Sequence, residues 1–306
     1  MQDPPSSTLP DLPGSPADGL VSSGPQSNVV LLGGRLGVAR LGSLRSMPEV
    51  LERFGVDTQA VLQRAGLPPD LFADPERRIA VEPLGRLFKA GTELTGCEHL
   101  GLLLAARFSL ENFVELGGLL RNCATVGDAL HALLLHLYVH DRLAAPLLLR
   151  LGPSNVLLGY SPLHHGMQAA TQLQEAAVGI AFRLLRELCG PGWKPVEVRF
   201  AHARPANPSF HRRLFGSRLC FDAEVSGVVF AVSWLKQPIA GADPLLREHF
   251  TRALSQVGAD SRLRFSEQVV VVLHQLLLAQ DCSTARVAEV FGIHPRTLRL
   301  RLHKEG

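Results

Sequence analysis

Apolar positions recur at helical spacing along most of the chain and give way to a strand-like texture in one stretch past its middle. In SLRSMPEVLERFGVDTQAVLQRAGL, Val50, Leu51 and Phe54 share one face, and Gly55 and Gly66 supply stops, which predicts two short helices. From Ile79 to Leu137 the i, i+3, i+4 recurrence persists through EPLGRLFKAGTEL, HLGLLLAARF and TVGDALHALLLHLYVH, with glycine or polar breaks between them. The texture then changes. PLLLRLGPSNVLLGYS holds two apolar runs around Gly152-Pro153-Ser154-Asn155, a hairpin signal. A long amphipathic helix follows in MQAATQLQEAAVGIAFRLLRELCG, closed by Gly190-Pro191. KPVEVRFAH, SRLCFDAE and GVVFAVS read as strands, with a short helix in PSFHRRLFG.

Strands in a hairpin, then a helix, then further strands predict an α+β domain of helices plus a small antiparallel sheet. One more helix runs from about Leu245 to Val257, and GADSR has the look of a domain linker. Beyond it lie the helical RFSEQVVVVLHQLLLA and the segment STARVAEVFGIHPRTLRLRLHKEG, an all-α ending. The division is therefore a Pro/Ser/Gly-rich leader over 1–28, an α+β domain over 29–258 and a helical domain over 259–306.

Composition sharpens this picture at two points. The first 27 residues carry six prolines, no Lys or Arg and no apolar core, so they form no secretory signal and are expected to be disordered. No apolar run approaches the ~18–20 residues that a membrane span needs. Charge is concentrated at the other end. Residues 283–306 hold Arg286, Arg296, Arg299, Arg301 and Lys304 against Glu289 and Glu305, a surplus of three that equals the net charge of the whole chain. A short segment carrying the entire imbalance is the electrostatic footprint of a polyanion site, or else a solvated basic face.

Five cysteines, at 97, 123, 189, 220 and 282, are scattered and never paired as C-x-x-C, which fits small core residues in a reducing cytosol. The chain lacks a G-x-S-x-G elbow, a P-loop, a G-x-G-x-x-G after a strand and an H-E-x-x-H, and its carboxylates are dispersed. The glycines of LLGGRLG precede no βαβ unit and read as a loop. An enzyme is not expected, nor is a cofactor. His136 and His140 stand four apart, with Asp141 beside them and His131 upstream. Two such histidines can hold a metal, but a third ligand is unconvincing, and no metal is assigned. His136, Tyr138 and His140 are candidates to line a small-molecule pocket. His164-His165 read as loop residues without a role.

The basic ending has a definite geometry. Ser283 and Thr284 are N-cap residue types for a helix that places Val287, Ala288 and Phe291 on one face. Gly292 suits a helix C-terminus, and Pro295 the first turn of a second helix. Ile293 and Leu298 then stand at the two positions of a hydrophobic staple. With Leu298 turned inward and about 100° between residues, Leu302 falls on the same side. Arg296, Arg299, Leu300 and His303 share the outward side, flanked by Arg301 and Lys304. Two helices and a short glycine-containing turn describe a helix-turn-helix, with base-edge donors outward and phosphate contacts at the rim. An ordinary amphipathic helical hairpin is the alternative.

This ending resembles the first helix-turn-helix of AraC/XylS-type transcription regulators, through Ala288, Gly292, Pro295-Arg296-Thr297-Leu298, Leu302 and Glu305-Gly306. Upstream, NCATVGDALHALLLHL, GWKPVEVRFAHARPANPSFHRRLFGSRLCF and LKQPIAGADPLL resemble the arabinose-binding-type effector domain of one branch of that family. The resemblance implies a cytoplasmic regulator whose N-terminal domain senses a small-molecule effector or dimerises, and whose C-terminal domain carries two helix-turn-helix units. Its partners would be double-stranded promoter DNA, an unidentified effector, a second copy in a homodimer and, for an activator, RNA polymerase. Arg296, Arg299, Leu300 and His303 would face bases; Ser283, Thr284, Arg301 and Lys304 would meet phosphates.

The family usually has Ser where His294 stands, an exchange expected to weaken the second helix by about 1 kcal/mol. It often has Arg in place of Leu300, which can offer only apolar contact to a thymine methyl. The second helix-turn-helix, with its linker helix, is not in the sequence, so the chain reads as a truncated gene product or a shortened piece. On that reading DNA binding is weak and salt-sensitive, and the alternative function is a truncated effector-binding or dimerising module with little DNA binding of its own.

Overall fold

The computed structural model describes residues 37–74, 76–162, 170–261, 264–278, 282–291 and 293–305. The leader, most of LLGGRLG, His164-His165 and Gly292 fall outside that range.

The first layer is helical. A short strand β1 (Val38–Arg40) leads into α1 (Met47–Glu52) and α2 (Thr58–Ala65), and the latter starts at Asp57, whose side chain accepts from the Gln59 N–H. It stops at Gly66, which takes the left-handed conformation the pattern called for. Strand β2 (Arg78–Ala80) returns antiparallel to β1, and α3 (Val81–Thr95) and α4 (Leu100–Ala105) follow. Neither of these three-residue strands was legible in the sequence, because three residues carry no period. Met47, Leu51, Leu62, Leu84, Leu87, Phe88 and Leu100 fill a core between these helices.

Helices α5 (Val114–Arg121) and α6 (Val126–His136) begin the second layer. Thr125 starts α6 in a capping box, its side chain exchanging hydrogen bonds with Asp128. The helical pattern ends at His136, and Leu137–Val139 turn tighter, as a 3-10 helix. The expected hairpin is present as β3 (Ala144–Leu151) and β4 (Asn155–Pro162), paired from Ala144↔Pro162 to Leu151↔Asn155. Helix α7 (Ala170–Cys189) follows, then β5 (Glu197–Arg199), α8 (Ser209–Phe215), β6 (Arg218–Cys220) and β7 (Gly227–Ala231).

The five strands form one sheet in the order β3-β4-β7-β5-β6. It is antiparallel except for its last pair: β5 and β6 run parallel, since α8 lies between them and carries the chain back. Phe182 and Leu185 of α7 and Phe230 of β7 join Trp193, Phe200 and Phe215 in the largest core. Helix α7 sits unusually close to α4. A Cβ added at Gly101 would lie 2.1 Å from the Gln172 carbonyl oxygen, and one added at Gly179 2.4 Å from the Ala105 Cβ. Both glycines are there for contact, not for turning.

Helix α9 (Pro244–Ser261) packs on α5, with the Phe250 ring over Gly118. It runs through positions 258–261, where the sequence suggested a linker; one glycine without a proline does not end a helix, so the expected break at 258 lies inside α9. Helix α10 (Phe265–Leu278) lies against β3, an outer strand of the sheet, and gathers α11 (Thr284–Val290) and α12 (Pro295–Glu305) around Val269, Val272, Leu276, Val287, Ala288 and Leu298. Among the described residues no helix is long and apolar enough to cross a membrane.

Candidate functional site

A cavity inside the α+β part and the outer side of α12 combine accessibility with chemistry. The cavity lies where β1, α6, α7 and the hairpin meet, and its void measures about 670 Å3 including its open mouth. Its body is apolar, built from Leu133 of α6, Leu158 of β4, and Ala177, Ile180 and Leu184 on one side of α7, with Phe113 and Leu137 from tight turns. The spacing of the α7 residues puts them one or two turns apart on a single face, and the close α4 contact fixes that face from behind.

The polar groups of the cavity come from one backbone arrangement. The segment after Val139 bonds to β1: the Arg40 N–H donates to the His140 carbonyl at 2.8 Å, and the Arg142 N–H to the Val38 carbonyl at 2.9 Å. Arg40, His140 and Asp141 are thereby brought to one wall, with Tyr160 of β4 also lining it.

Each is held differently. The Arg40 Nη1 meets a Glu76 oxygen at 2.5 Å, but its Nε is buried with no hydrogen-bond partner. His140 is 5% exposed, and burial, with Arg40 and Arg78 adding, pushes its pKa down to about 3. A hydrogen bond to the Phe113 backbone opposes that shift in part, while Nε2 is buried without a partner. Asp141 lies deep in the protein and yet keeps part of its surface accessible, because it borders the cavity. Burial raises its carboxyl to about 6, and the hydrogen bond from the Leu143 N–H at 2.7 Å offsets this only in part. Tyr160 also borders the cavity; burial holds its phenol well above the usual range and Asp141 adds to the shift. Asn112, by contrast, is spent on structure, accepting from the Ser109 N–H and donating to the Gly42 carbonyl.

Of the three residues expected at a pocket, His140 lines this cavity; His136 and Tyr138 do not. The i, i+4 argument for the histidine pair assumed a helix continuing to His140, and α6 stops at His136, so the two rings share no helical face. His136 is largely buried at the end of α6, where burial and His131 lower its pKa. Arg40, Asp141 and Tyr160 were not candidates. Sequence singles out Asp141 only as a neighbour of the histidine pair, and Arg40 sits some hundred residues upstream of it.

On α12, Leu298 is buried and Leu302 half-buried, while Arg296, Arg299, Leu300, His303 and Lys304 are exposed. His294 caps the helix after all: its Nδ1 accepts from the Arg296 N–H at 3.2 Å, which removes the reason for the expected weakening. Arg301, also exposed, holds its guanidinium over the Phe265 ring at 5.4 Å, and the Glu305 carboxylate accepts from the Phe265 and Ser266 N–H groups, 2.9 Å each. These two contacts clamp the end of α12 to the start of α10. Ser283 accepts from the Arg286 N–H at 3.1 Å as the N-cap of α11, and Thr284 beside it is exposed.

The sequence profile described as the arabinose-binding domain of AraC transcription regulators, N-terminal, matches residues 55–239. HTH-type transcriptional regulator VirS of Mycobacterium tuberculosis, in strains CDC 1551 / Oshkosh and H37Rv, is 28% identical over 268 residues, covering 87% of this chain and 79% of VirS. An ornithine utilization regulator of Pseudomonas aeruginosa is 24% identical over 196 residues, 64% of this chain and 58% of its own length. Among solved structures, that of transcriptional regulator CdpR from Pseudomonas aeruginosa covers 87% of this chain and 79% of CdpR with a TM-score of 0.53, a likeness of fold at 20% identity.

Proposed function

Since the chain belongs to the family of the arabinose-binding domain of AraC transcription regulators, we propose that it is a transcription regulator that senses a small molecule in its cavity and contacts promoter DNA through α11 and α12 as a helix-turn-helix. The observation that carries the DNA half is the two-sided α12: Leu298 buried against α10 and α11, with Arg296 and Arg299 exposed opposite it. Arg296 and Arg299 would meet base edges, where a guanidinium can grip guanine O6 and N7 together, and Leu300 a thymine methyl; His303 would follow them along the groove. Lys304, Arg301 and the start of α11 at Ser283 and Thr284 would hold phosphates. A resident cofactor and a catalytic step form no part of this reading.

Coupling between the halves has a physical route. Strand β3 contributes Pro146 to the cavity wall and lies against α10, which carries α11 and α12. A ligand that favours one position of β3 therefore shifts the population of C-terminal arrangements, which is all that an effector must do.

The test is fluorescence anisotropy on a duplex recovered by in vitro selection against the full chain. Arg296→Ala and Arg299→Ala are each expected to cost about 1–3 kcal/mol and to relax preference at one position. Unchanged binding in the double variant removes the DNA half of the reading.

A further inference from the structure

Among the described residues, the cavity wall holds a carboxyl without a counter-ion. Asp141 accepts one hydrogen bond from the Leu143 N–H and has no cation beside it among the described residues. Arg40 lines the same cavity, but its guanidinium already holds Glu76. A carboxylate facing an apolar, half-enclosed space carries an unfavourable charge for which a ligand of opposite sign is the direct remedy. Beside it the wall offers a buried acceptor, the unpartnered Nε2 of a neutral His140, and a buried donor, the Nε of Arg40. The remainder is hydrocarbon, supplied by Leu133, Leu137, Leu158, Ile180 and Leu184.

We propose that the cavity takes a small organic cation, an aliphatic amine whose ammonium group sits against the Asp141 carboxylate and whose hydrocarbon body lies along α6 and α7. The proposal rests on the sensing role given to this cavity and names the chemical class sensed. A carboxylate-bearing ligand of the same size would bring a second negative charge to Asp141. A sugar would bury several hydroxyls against leucine and isoleucine, with too few polar partners to satisfy them. An amine meets the Asp141 charge and leaves the rest of the ligand to apolar contact. It also has room for a hydroxyl, which can accept from Arg40 and donate to His140.

Isothermal titration calorimetry and thermal melting of the full chain at pH 7.5 decide the matter, with three probes of one shape: n-hexylamine, n-hexanol and n-hexanoate. The amine is expected to bind at least tenfold tighter than the alcohol and to raise the melting temperature, while the carboxylate binds more weakly than either. In Asp141→Asn, checked for folding by circular dichroism, the amine's advantage disappears while hexanol binding persists. Leu184→Trp, which fills the cavity, removes both. Should hexanol or hexanoate bind as tightly as the amine, and lose binding in Leu184→Trp, the cavity is a ligand site and the cation assignment is wrong. Amine binding undiminished in Asp141→Asn overturns it as well. If none of the three probes binds, both this assignment and the sensing role of the cavity fall.

Discussion

Asp141 and His140 are consecutive on one cavity wall, and acid acts on them in opposite senses. The Asp141 carboxyl titrates near 6 in the folded chain against 3.8 for the free group, so the fold holds its proton more tightly than the unfolded chain does. Its contribution to stability is therefore complete below about pH 4 and is lost as pH rises through 6. His140, lowered to about 3, contributes fully above its ordinary value near 6.5 and loses that contribution as pH falls. Asp141→Asn separates the two. It should raise unfolding stability at pH 7 by about 1–3 kcal/mol and leave it unchanged at pH 4, read from urea unfolding at both pH values. Val114, next to the cavity residue Phe113, is a second strained position: a β-branched residue at φ 41, and 52% exposed. Val114→Gly should stabilise the chain by about 1 kcal/mol in the same assay, since glycine takes that conformation without penalty. On α12, His294→Ala should lower the stability of the C-terminal helices by about 1 kcal/mol, and His294→Asn should retain most of it.

Among the elements, the α4–α7 contact is the least forgiving. Gln172 of α7 accepts from the Gly101 N–H at 2.8 Å and donates to the Glu98 carbonyl at 2.6 Å, so the helices are bonded as well as packed. Gly101→Ala would drive a methyl into the Gln172 carbonyl and push α7 away from α4. A loss of about 2 kcal/mol or more in stability is expected, with weakened ligand binding because α7 is a cavity wall. How well each element could be read in advance follows from its period. The β3–β4 hairpin, α7 and the C-terminal helices announce themselves, since seven to twenty residues repeat a pattern and glycine or proline marks the ends. The parallel β5–β6 pair, the three-residue β1 and β2, and the onward run of α9 do not, because they are decided by what lies alongside them. The cavity was half legible for the same reason. His140 stood out by residue type, whereas Arg40 and Asp141 come to the same cavity only because the segment after Val139 bonds to the backbone of β1.

At the scale of the whole molecule, charge and surface decide what the chain does in solution. The exposed cations of α12 are Arg296, Arg299, Arg301 and Lys304, so this chain should release no more than about four counterions on binding duplex DNA. The logarithm of affinity should then fall with that of salt concentration at a slope of at most about 4, roughly a hundredfold between 50 and 200 mM. A much steeper slope in an anisotropy titration would point to cations elsewhere on the surface. Finally, β3 is an outer strand of the sheet, its sequence AAPLLLRL is almost wholly apolar, and α10 lies against it alongside α6. Cut after Ser261, the molecule would uncover part of this greasy outer strand and open it to pairing with its own kind. Light scattering should find such a fragment clumping where the intact chain stays dispersed, so the sensing half depends on its companion for solubility as well as for output.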